Sequence, residues 1–313
     1  MMHRGVVVEV LGPVVFVCRL EGERIVSEAP FACSLTGRKY DAGRPVVGDV
    51  VQFDVHSEHV RGRDYQGVIQ SIEPRVSLVE RLEPGGRGAR RLVANLDTLV
   101  VVTSVQAPPL KPGLIDRYLV CAHHCGLEPL IVVNKWELAG ELDLLYVRIY
   151  EALGYRCVMA SARCGIGMEG LREVLVGRRS AFLGHSGVGK SSLLNALFPG
   201  VNLAVGEVSV QSQRGRHTTT ASRLLPFEAG FVIDTPGVRE FGITGIAQGE
   251  LSDCFPEFRD FACQCRFQPC SHTHEPDCGV RAAVESDELA AFRYQAYLKI
   301  LGEIRDMEQT KYR

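Results

Sequence analysis

The chain has 313 residues, of which 46% are hydrophobic and 23% charged, and its formal net charge at pH 7 is −2. This composition excludes a disordered chain, and the length suffices for two or three domains. The apolar stretch Val6–Cys18 is interrupted by Glu9, Gly12 and Pro13, which argues against a signal peptide or a membrane span. The cysteines number 11, an odd count that favours reduced thiols and bound metal over disulfides. We therefore expect a cytoplasmic protein without a membrane segment.

The first 75 residues predict a small β-barrel. Glycine, proline and charged turns separate five short strands, which we predict at Val6–Val10, Val14–Arg19, Glu28–Cys33, Asp49–Val55 and Gln66–Ile72. Their number and spacing fit an OB-fold, although an SH3-like barrel would have a similar pattern. The segment from Glu83 to Gly88 contains paired glycines and a proline, so it indicates a linker close to a domain boundary.

Strands and helices alternate from Thr98 onward, which is typical of a parallel sheet. Apolar segments predict strands at 99–105, 130–133, 156–160, 181–183 and 231–233, and helices at 114–125, 142–153 and 193–197. The rest of the chain is rich in Cys and His and then charged and helical from about Ser286 to Gln309. The fold class is therefore multidomain: a β-barrel (1–75), an α/β P-loop domain (76–245) and a zinc-binding domain with helices (246–313).

The segment after the predicted strand 181–183 matches the phosphate-binding pattern GxxxxGK[ST] and leads into a predicted helix. Glycines let backbone N–H groups surround phosphates, and Lys190 can reach the β- and γ-phosphates. A glycine-rich turn without a ligand is a poor alternative, because strand, loop and helix are all in place. The residues predicted to surround the phosphates are Gly184, His185, Ser186, Gly187, Val188, Gly189, Lys190, Ser191 and Ser192.

Two further segments indicate guanine as the base. Asn134, Lys135 and Glu137 follow an apolar strand and resemble the NKxD element that reads guanine in GTPases. Ser161 and Ala162 follow the next predicted strand, where a second guanine-contacting loop is expected. Glu137 replaces the usual aspartate and offers the same carboxylate on a stem one methylene longer. We therefore predict a preference for guanine that the longer side chain loosens.

Downstream residues predict a magnesium site. Asp234 and Gly237 belong to a segment similar to the DxxG element, whose aspartate holds Mg²⁺ through water and whose glycine N–H senses the γ-phosphate. The Ser191 hydroxyl supplies a further Mg²⁺ position. Three threonines lie in the segment 215–220, where a switch threonine is expected. We assign Thr219 to this role and leave its two neighbours open.

The residue after Gly237 predicts slow intrinsic hydrolysis. Val238 stands where many GTPases carry a glutamine that orients the attacking water. A partner or another polar residue should then complete the site. His217, in the switch segment, is our catalytic candidate, and a surface histidine without a catalytic role is the alternative.

The order of these motifs indicates a circular permutation. In an ordinary GTPase the phosphate-binding loop comes first and the base-reading segments last, whereas here the base-reading segments precede the loop and the DxxG-like segment follows it. A parallel sheet tolerates this change, because joining the old termini and cutting elsewhere leaves the neighbours of each strand unchanged.

Four residues near the end of the chain predict a structural zinc site. Cys265, Cys270, His272 and Cys278 have the spacing C-x4-C-x-H-x5-C, and three thiolates with one imidazole suit a closed tetrahedral Zn²⁺. From spacing alone, Cys263 and His274 remain alternative ligands. A redox-active thiol pair is the weaker reading, because the segment has no C-x2-C. We expect one Zn²⁺ per chain.

The barrel, the motif order and the cysteine pattern together resemble the RsgA (YjeQ) family of circularly permuted GTPases, over nearly the whole chain. The resemblance includes the segment Ala94–Asp97, similar to the family's ANxD entry into the first GTPase strand, and Val238. It implies a monomer that binds GTP and GDP with Mg²⁺. It further implies that the protein binds the 30S subunit late in maturation, contacts 16S rRNA through the barrel and zinc domains, and hydrolyses GTP when the subunit stimulates it.

Basic residues are compatible with an RNA partner, each with ordinary surface charge as an equal alternative. They lie in or beside the barrel and in the switch segment: Arg61, Arg63, Arg87, Arg90, Arg91, Arg214 and Arg216.

Two other functions compete with a GTPase switch in small-subunit assembly. In the first, the chain is a nucleotide-dependent RNA-binding module in which hydrolysis is incidental. In the second, it is a P-loop kinase for a small molecule, which the base-reading segments and the lack of a recognisable acceptor lid disfavour.

Overall fold

A computed structural model of the chain describes residues 2–27, 29–35, 43–60, 63–82, 89–199, 201, 203, 222–235 and 245–311. Three regions follow one another along the chain: a strand-rich N-terminal part, a central α/β part and a helical C-terminal part. No helix in these ranges combines the length and apolar character needed to cross a bilayer.

The N-terminal region is a closed barrel. Its strands are β1 (Met2–Leu11), β2 (Val14–Glu21), β3 (Arg24–Ile25), β4 (Phe31–Leu35), β5 (Val50–Val60) and β6 (Arg63–Ile72). Strand β1 pairs with β2 and β5, β5 pairs with β6, β6 with β4, and β4 with β2, so five strands form a ring. Only the β4–β6 pair of this ring is parallel. This order confirms the OB-fold, which sequence spacing alone did not separate from an SH3-like barrel.

The barrel interior explains two of its glycines. Phe53 is fully buried among valines of the neighbouring strands. A Cβ at Gly5 would lie 2.8 Å from the Phe53 ring and 2.5 Å from the Val17 side chain. A Cβ at Gly67 would lie 2.7 Å from the carbonyl oxygen of Asp54. Glycine therefore gives the aromatic ring and the adjacent strand the space they occupy.

A two-stranded hairpin connects the barrel to the central region. Strands β7 (Leu78–Leu82) and β8 (Ala89–Ala94) pair antiparallel on either side of the predicted linker at 83–88, which itself lies outside the described residues. The sequence pattern did not predict this hairpin. Apolar residues of both strands, Val79 and Val93, are fully buried in the main core, so the connection packs as part of the fold.

Within the described residues, the central region contributes six strands, with helices, to a sheet that continues into the barrel. Its strands are β9 (Thr98–Ser104), β10 (Glu128–Asn134), β11 (Arg156–Met159), β12 (Arg179–Leu183), β13 (Arg223–Phe227) and β14 (Gly230–Asp234). Its helices are α1 (Pro112–His124), α2 (Glu141–Ala152), α3 (Met168–Leu175) and α4 (Lys190–Leu197). The spatial order is β13-β14-β12-β9-β10-β11, and all neighbours are parallel except β13 and β14. The carboxyl ends of the five parallel strands therefore meet at one edge, where open α/β sheets bind ligands.

The C-terminal region is mostly helical. Two 3₁₀ segments, Gln248–Cys254 and Pro256–Phe258, precede α5 (Arg259–Ala262), α6 (Gly279–Glu285) and α7 (Ala291–Lys311). The prediction of one helix from about Ser286 is wrong at its start. Asp287 has a φ of 61°, in the left-handed region, so the backbone turns between α6 and α7 and the long helix begins at Ala291.

Two different junctions join these regions. The barrel packs apolar residues such as Val6 and Val8 into the same core as the central strands, and Glu9 of β1 lies opposite Arg223 of β13. In the C-terminal region, α7 and the first 3₁₀ segment pack against α1. At that second junction the guanidinium of Arg293 is 0% exposed and contacts Asp116 of α1.

Candidate nucleotide site and metal cluster

The predicted phosphate-binding loop lies between β12 and α4, at the carboxyl edge of the sheet. Its glycines are required by geometry. Gly187 and Gly189 have φ values of 86° and 92°, and a Cβ at Gly189 would lie 2.2 Å from Nδ2 of Asn134. A Cβ at Gly184 would lie 2.2 Å from the carbonyl oxygen of Val102. Only glycine permits this close packing of loop and neighbouring strands.

Lys190 and Asp234 bring opposite charges to this loop. Lys190 is buried at the start of α4, and its Nζ donates hydrogen bonds to the carbonyl oxygens of Gly184 (2.7 Å) and His185 (3.2 Å). Burial lowers the pKa of Lys190, and the nearby Asp234 opposes this shift. Burial also raises the pKa of Asp234, which ends β14, while Lys190 opposes it. An ammonium group and a carboxylate beside one loop suit a phosphate and its divalent cation.

Asn134 connects three loops at the sheet edge. Its side chain is buried, and its Nδ2 donates to the carbonyl oxygen of Val188 at 2.8 Å. Its Oδ1 accepts from the backbone N–H of Ala162 at 3.3 Å. One amide therefore holds the phosphate-binding loop and the second base-reading loop in a fixed relation.

Lys135 joins two loops at the same edge of the sheet through its ammonium group. Its backbone is left-handed, with a φ of 61°. Its Nζ donates to the carbonyl oxygens of Gly187 and Gln106, both at 2.9 Å, and to that of Ala107. The ammonium group thus ties the phosphate-binding loop to the loop after β9. The motifs gave no signal for these three carbonyl partners, because backbone acceptors have no sequence signature.

Glu137 is exposed at the mouth of the base-reading edge. A hydrogen bond from the Ser161 hydroxyl, and smaller contributions from Arg163 and Lys135, hold the pKa of Glu137 below its ordinary value. Ser161 itself is buried, and its Oγ accepts from the backbone N–H of Cys164 at 3.0 Å. The second base-reading loop therefore favours the ionised form of the glutamate carboxylate, despite its longer stem.

Other predicted residues fall beside this edge or outside the described ranges. His185 donates from Nδ1 to the carbonyl oxygen of Ser186 at 2.8 Å, and Ser191 and Ser192 lie in the first turn of α4. Thr235, which the sequence analysis did not single out, is buried and donates to the carbonyl oxygen of Phe182 at 2.6 Å, so it fixes the end of β14. The predictions outside the described residues are His217, Thr219, Gly237 and Val238 of the nucleotide site, and Arg61, Arg87, Arg214 and Arg216 of the basic residues.

The predicted zinc ligands come together in one cluster. One donor atom each from Cys265, Cys270, His272 and Cys278 lies within 4.8 Å of the others. The Sγ atoms of Cys265 and Cys278 are 3.8 Å apart, and Nδ1 of His272 lies 3.6 and 3.4 Å from them. A tetrahedral Zn²⁺, with Zn–S of about 2.3 Å and Zn–N of about 2.1 Å, separates its ligand atoms by roughly 3.6–3.8 Å. The four side chains therefore fit this metal.

The alternative ligands lie outside the cluster. Cys263 is exposed and its thiol contacts the carbonyl oxygen of Asp260 at 3.4 Å. His274 is exposed, and its Nδ1 contacts the Thr273 hydroxyl at 2.9 Å. Neither residue is among the four whose donor atoms converge.

The backbone around the cluster is held by side chains of α7 and by one carboxylate. The hydroxyls of Tyr294 and Tyr297 donate to the carbonyl oxygens of His272 (2.7 Å) and Ser271 (2.8 Å). Glu275 accepts from the backbone N–H groups of Ser271 and Thr273, at 2.8 and 3.1 Å. These bonds orient the ligand loop from outside the cluster, which is how metal sites are commonly stabilised.

Together, the sheet order, the phosphate-binding loop and the base-reading edge define a P-loop GTPase with a circularly permuted chain. The family profile for the RsgA GTPase matches residues 72–244. The chain belongs to this family of GTP-hydrolysing enzymes, as its resemblance indicated.

Relatives cover nearly its full length. The chain is 42% identical over 307 residues to a small ribosomal subunit biogenesis GTPase RsgA of Gemmatimonas aurantiaca, covering 96% of this chain and 97% of the relative. It is 41% identical over 309 residues to the protein of that name from Thermotoga maritima, with the same shares covered. The crystal structure of YjeQ from Thermotoga maritima superposes with a TM-score of 0.74 at 36% identity, over 97% of this chain and 99% of that one. YloQ, a circularly permuted GTPase, superposes with a TM-score of 0.70 at 27% identity, over 98% and 96%.

Proposed function

We propose that this chain is a GTPase of small ribosomal subunit biogenesis, which binds the 30S subunit and hydrolyses GTP when the subunit stimulates it. The names of the relatives supply the process. The observation that carries the proposal is the junction made by Asn134, which holds the phosphate-binding loop and the base-reading loop together at one sheet edge. A chain that binds no guanine nucleotide would not need these two loops in a fixed relation.

We assign the nucleotide contacts as follows. The loop from Gly184 to Ser192 binds the phosphates, and Lys190 leaves its loop carbonyls to contact the β- and γ-phosphates. The carboxylate of Glu137 accepts from the guanine base, and Asn134, Lys135, Ser161 and Ala162 keep it in place. Ser191, Asp234 and Thr219 hold Mg²⁺, Gly237 senses the γ-phosphate, and His217 assists hydrolysis where Val238 replaces glutamine.

The domain that holds the metal cluster and the barrel are the parts of the chain that we assign to RNA binding. Cys265, Cys270, His272 and Cys278 bind one structural Zn²⁺, because their thiols and imidazole provide a closed set of four donors. The zinc domain and the barrel contact 16S rRNA. Among the described basic residues, Arg90 and Arg91 are exposed on β8, although Arg91 also contacts Glu80 at 3.4 Å.

The three domains in this proposal are residues 1–75, 76–245 and 246–313. The protein is proposed to be a cytoplasmic monomer. The last barrel strand ends at Ile72 and the first 3₁₀ segment of the C-terminal region begins at Gln248, which supports these limits. The hairpin of β7 and β8 then belongs to the central domain.

The deciding experiment measures hydrolysis of GTP and of ATP by the purified protein, with and without isolated 30S subunits. We expect stimulation by the subunit with GTP only. The variant Lys190→Ala should abolish hydrolysis and nucleotide binding, because it removes the buried ammonium group that we assign to the β- and γ-phosphates.

Two results would contradict parts of the proposal. If Lys190→Ala binds the subunit and supports its maturation as well as the unmodified chain does, the protein is an RNA-binding module and its hydrolysis is incidental. Equal use of ATP and GTP would show instead that Glu137 does not read guanine.

A further inference from the structure

The loop between two ligands of the metal cluster displays an exposed aromatic ring. Phe267 lies between Cys265 and Cys270 and is 44% exposed. Every other phenylalanine within the described ranges is buried or partly buried. A ring in a short loop between two buried or partly buried cysteines adds nothing to a core here and is accessible to a ligand.

The loop holds this ring in place. The backbone N–H of Arg266 donates to the carbonyl oxygen of Asp277 at 3.1 Å, and the two side chains form an ion pair at 3.0 Å. The Arg266 guanidinium lies 5.6 Å from the centre of the Phe267 ring. The ring is therefore presented by a fixed backbone with a cation beside it, and little conformational entropy is lost when a ligand binds.

The surroundings favour a nucleobase over a protein or a membrane. The exposed neighbours of Phe267 in the loop are polar or lack a large apolar group: Gln264, Arg266, Gln268, Pro269 and Asp277. A protein interface surrounds its aromatic anchors with further apolar area, and membrane insertion needs several apolar side chains together. A single ring with an adjacent guanidinium matches the way proteins bind single-stranded nucleic acid, by stacking on a base and contacting a phosphate.

We propose that Phe267 is a stacking platform for an unpaired base of RNA and that Arg266 contacts the phosphate next to that base. This deepens the proposed function and rests on it for the choice of RNA as the ligand. It assigns the metal cluster a second task, which is to hold the ring outward between Cys265 and Cys270.

The test titrates the metal-loaded, full-length protein into a short single-stranded RNA that carries the fluorescent base 2-aminopurine. We expect quenching by the unmodified chain, because stacking on an aromatic ring quenches this base. The variant Phe267→Leu keeps an apolar side chain but lacks the ring, so it should bind about 10-fold more weakly. Phe267→Trp should retain the affinity.

Controls separate stacking from a structural defect. Leu142→Ala, at a residue of α2 that is 60% exposed, should leave the titration unchanged. Metal content and the near-ultraviolet circular dichroism of Phe267→Leu should equal those of the unmodified chain. Arg266→Gln should reduce the slope of log affinity against log salt concentration by about one, the loss of one phosphate contact.

The outcomes distinguish this inference from the proposed function. Equal affinity of Phe267→Leu and the unmodified chain, or absence of quenching by both, overturns the stacking platform even if 30S subunits stimulate hydrolysis. Quenching that depends on Phe267, without stimulation by the subunit, supports the platform and contradicts the proposed function.

Discussion

The two junctions that hold the outer regions to the central domain are built from different interactions. At the C-terminal junction, Arg293 of α7 lies fully buried between Asp116 of α1, at 2.7 Å, and Glu257, at 2.6 Å. Its guanidinium also lies 4.7 Å from the centre of the Phe255 ring. Burial disfavours the charged guanidinium, but the two carboxylates outweigh burial and raise the pKa of Arg293. One charged side chain is therefore buried at the centre of this junction, beside its apolar contacts.

At the barrel junction, the polar element is Asn95, which has no charge. It is buried between the two regions, and its Nδ2 donates to the carbonyl oxygen of Gly48 at 3.0 Å. Its Oδ1 accepts from the backbone N–H of Val76 at 2.9 Å. Apolar packing of barrel and central strands surrounds it. The barrel is thus joined by apolar contact, backbone pairing and an uncharged amide, whereas the C-terminal region adds a buried charge network to its apolar contacts.

Removal of the metal should give the largest difference between the two junctions. Tyr294 and Tyr297 connect the cluster loop to the helix that carries Arg293, so loss of Zn²⁺ should unfold residues 246–313 and leave the barrel junction intact. Limited proteolysis after chelation should release fragments from the C-terminal region only. Cleavage throughout the chain would show that the two junctions are not independent.

Substitution of Arg293 should have the next largest effect. Arg293→Ala leaves Asp116 and Glu257 buried without a cation, so it should lower the free energy of unfolding by about 3–5 kcal/mol, measured by urea titration. Arg293→Lys keeps the charge and should cost less. Addition of Asp116→Asn to Arg293→Ala should recover part of the loss, and a double variant no more stable than the single one would contradict the charge argument.

A smaller effect is expected at the barrel junction. Asn95→Ala leaves the carbonyl of Gly48 and the N–H of Val76 without their partners. It should therefore lower the free energy of unfolding by about 2–3 kcal/mol. Asn95 also has a φ of 57°. Asn95→Gly should therefore be more stable than Asn95→Ala by roughly 1 kcal/mol, since glycine accepts this conformation. Equal stability of the two variants would show that the backbone angle does not contribute.

The smallest effect belongs to an outer ion pair of the C-terminal junction. Arg117 of α1 contacts Glu303 of α7 at 2.5 Å, and their side chains are 17% and 39% exposed. Solvent screens such a pair, so Arg117→Ala should lower the unfolding free energy by only about 0.5–1 kcal/mol. The loss should shrink at high salt. A loss as large as that of Arg293→Ala would mean that burial does not distinguish the two pairs.

The sequence by itself determined the features whose residues are close together in the chain. The fold class was predicted from strand spacing and motif order, and the structural neighbours confirm it. The four members of the Cys/His cluster were identified from spacing within one short segment, and the structure brings their donor atoms together. The roles assigned to the site residues stay predictions until nucleotide binding is measured.

Only the tertiary structure decided the features that need distant residues. The parallel pairing of β4 with β6 distinguishes an OB-fold from other small barrels, and this pairing has no local signature. Arg293 reads in the sequence as one more charge on a helix, yet it is buried because it lies opposite Asp116, which is 177 residues away. Residue spacing specifies local geometry, whereas burial and long-range partners depend on how the regions pack. The difference between the two junctions therefore depends on the tertiary structure.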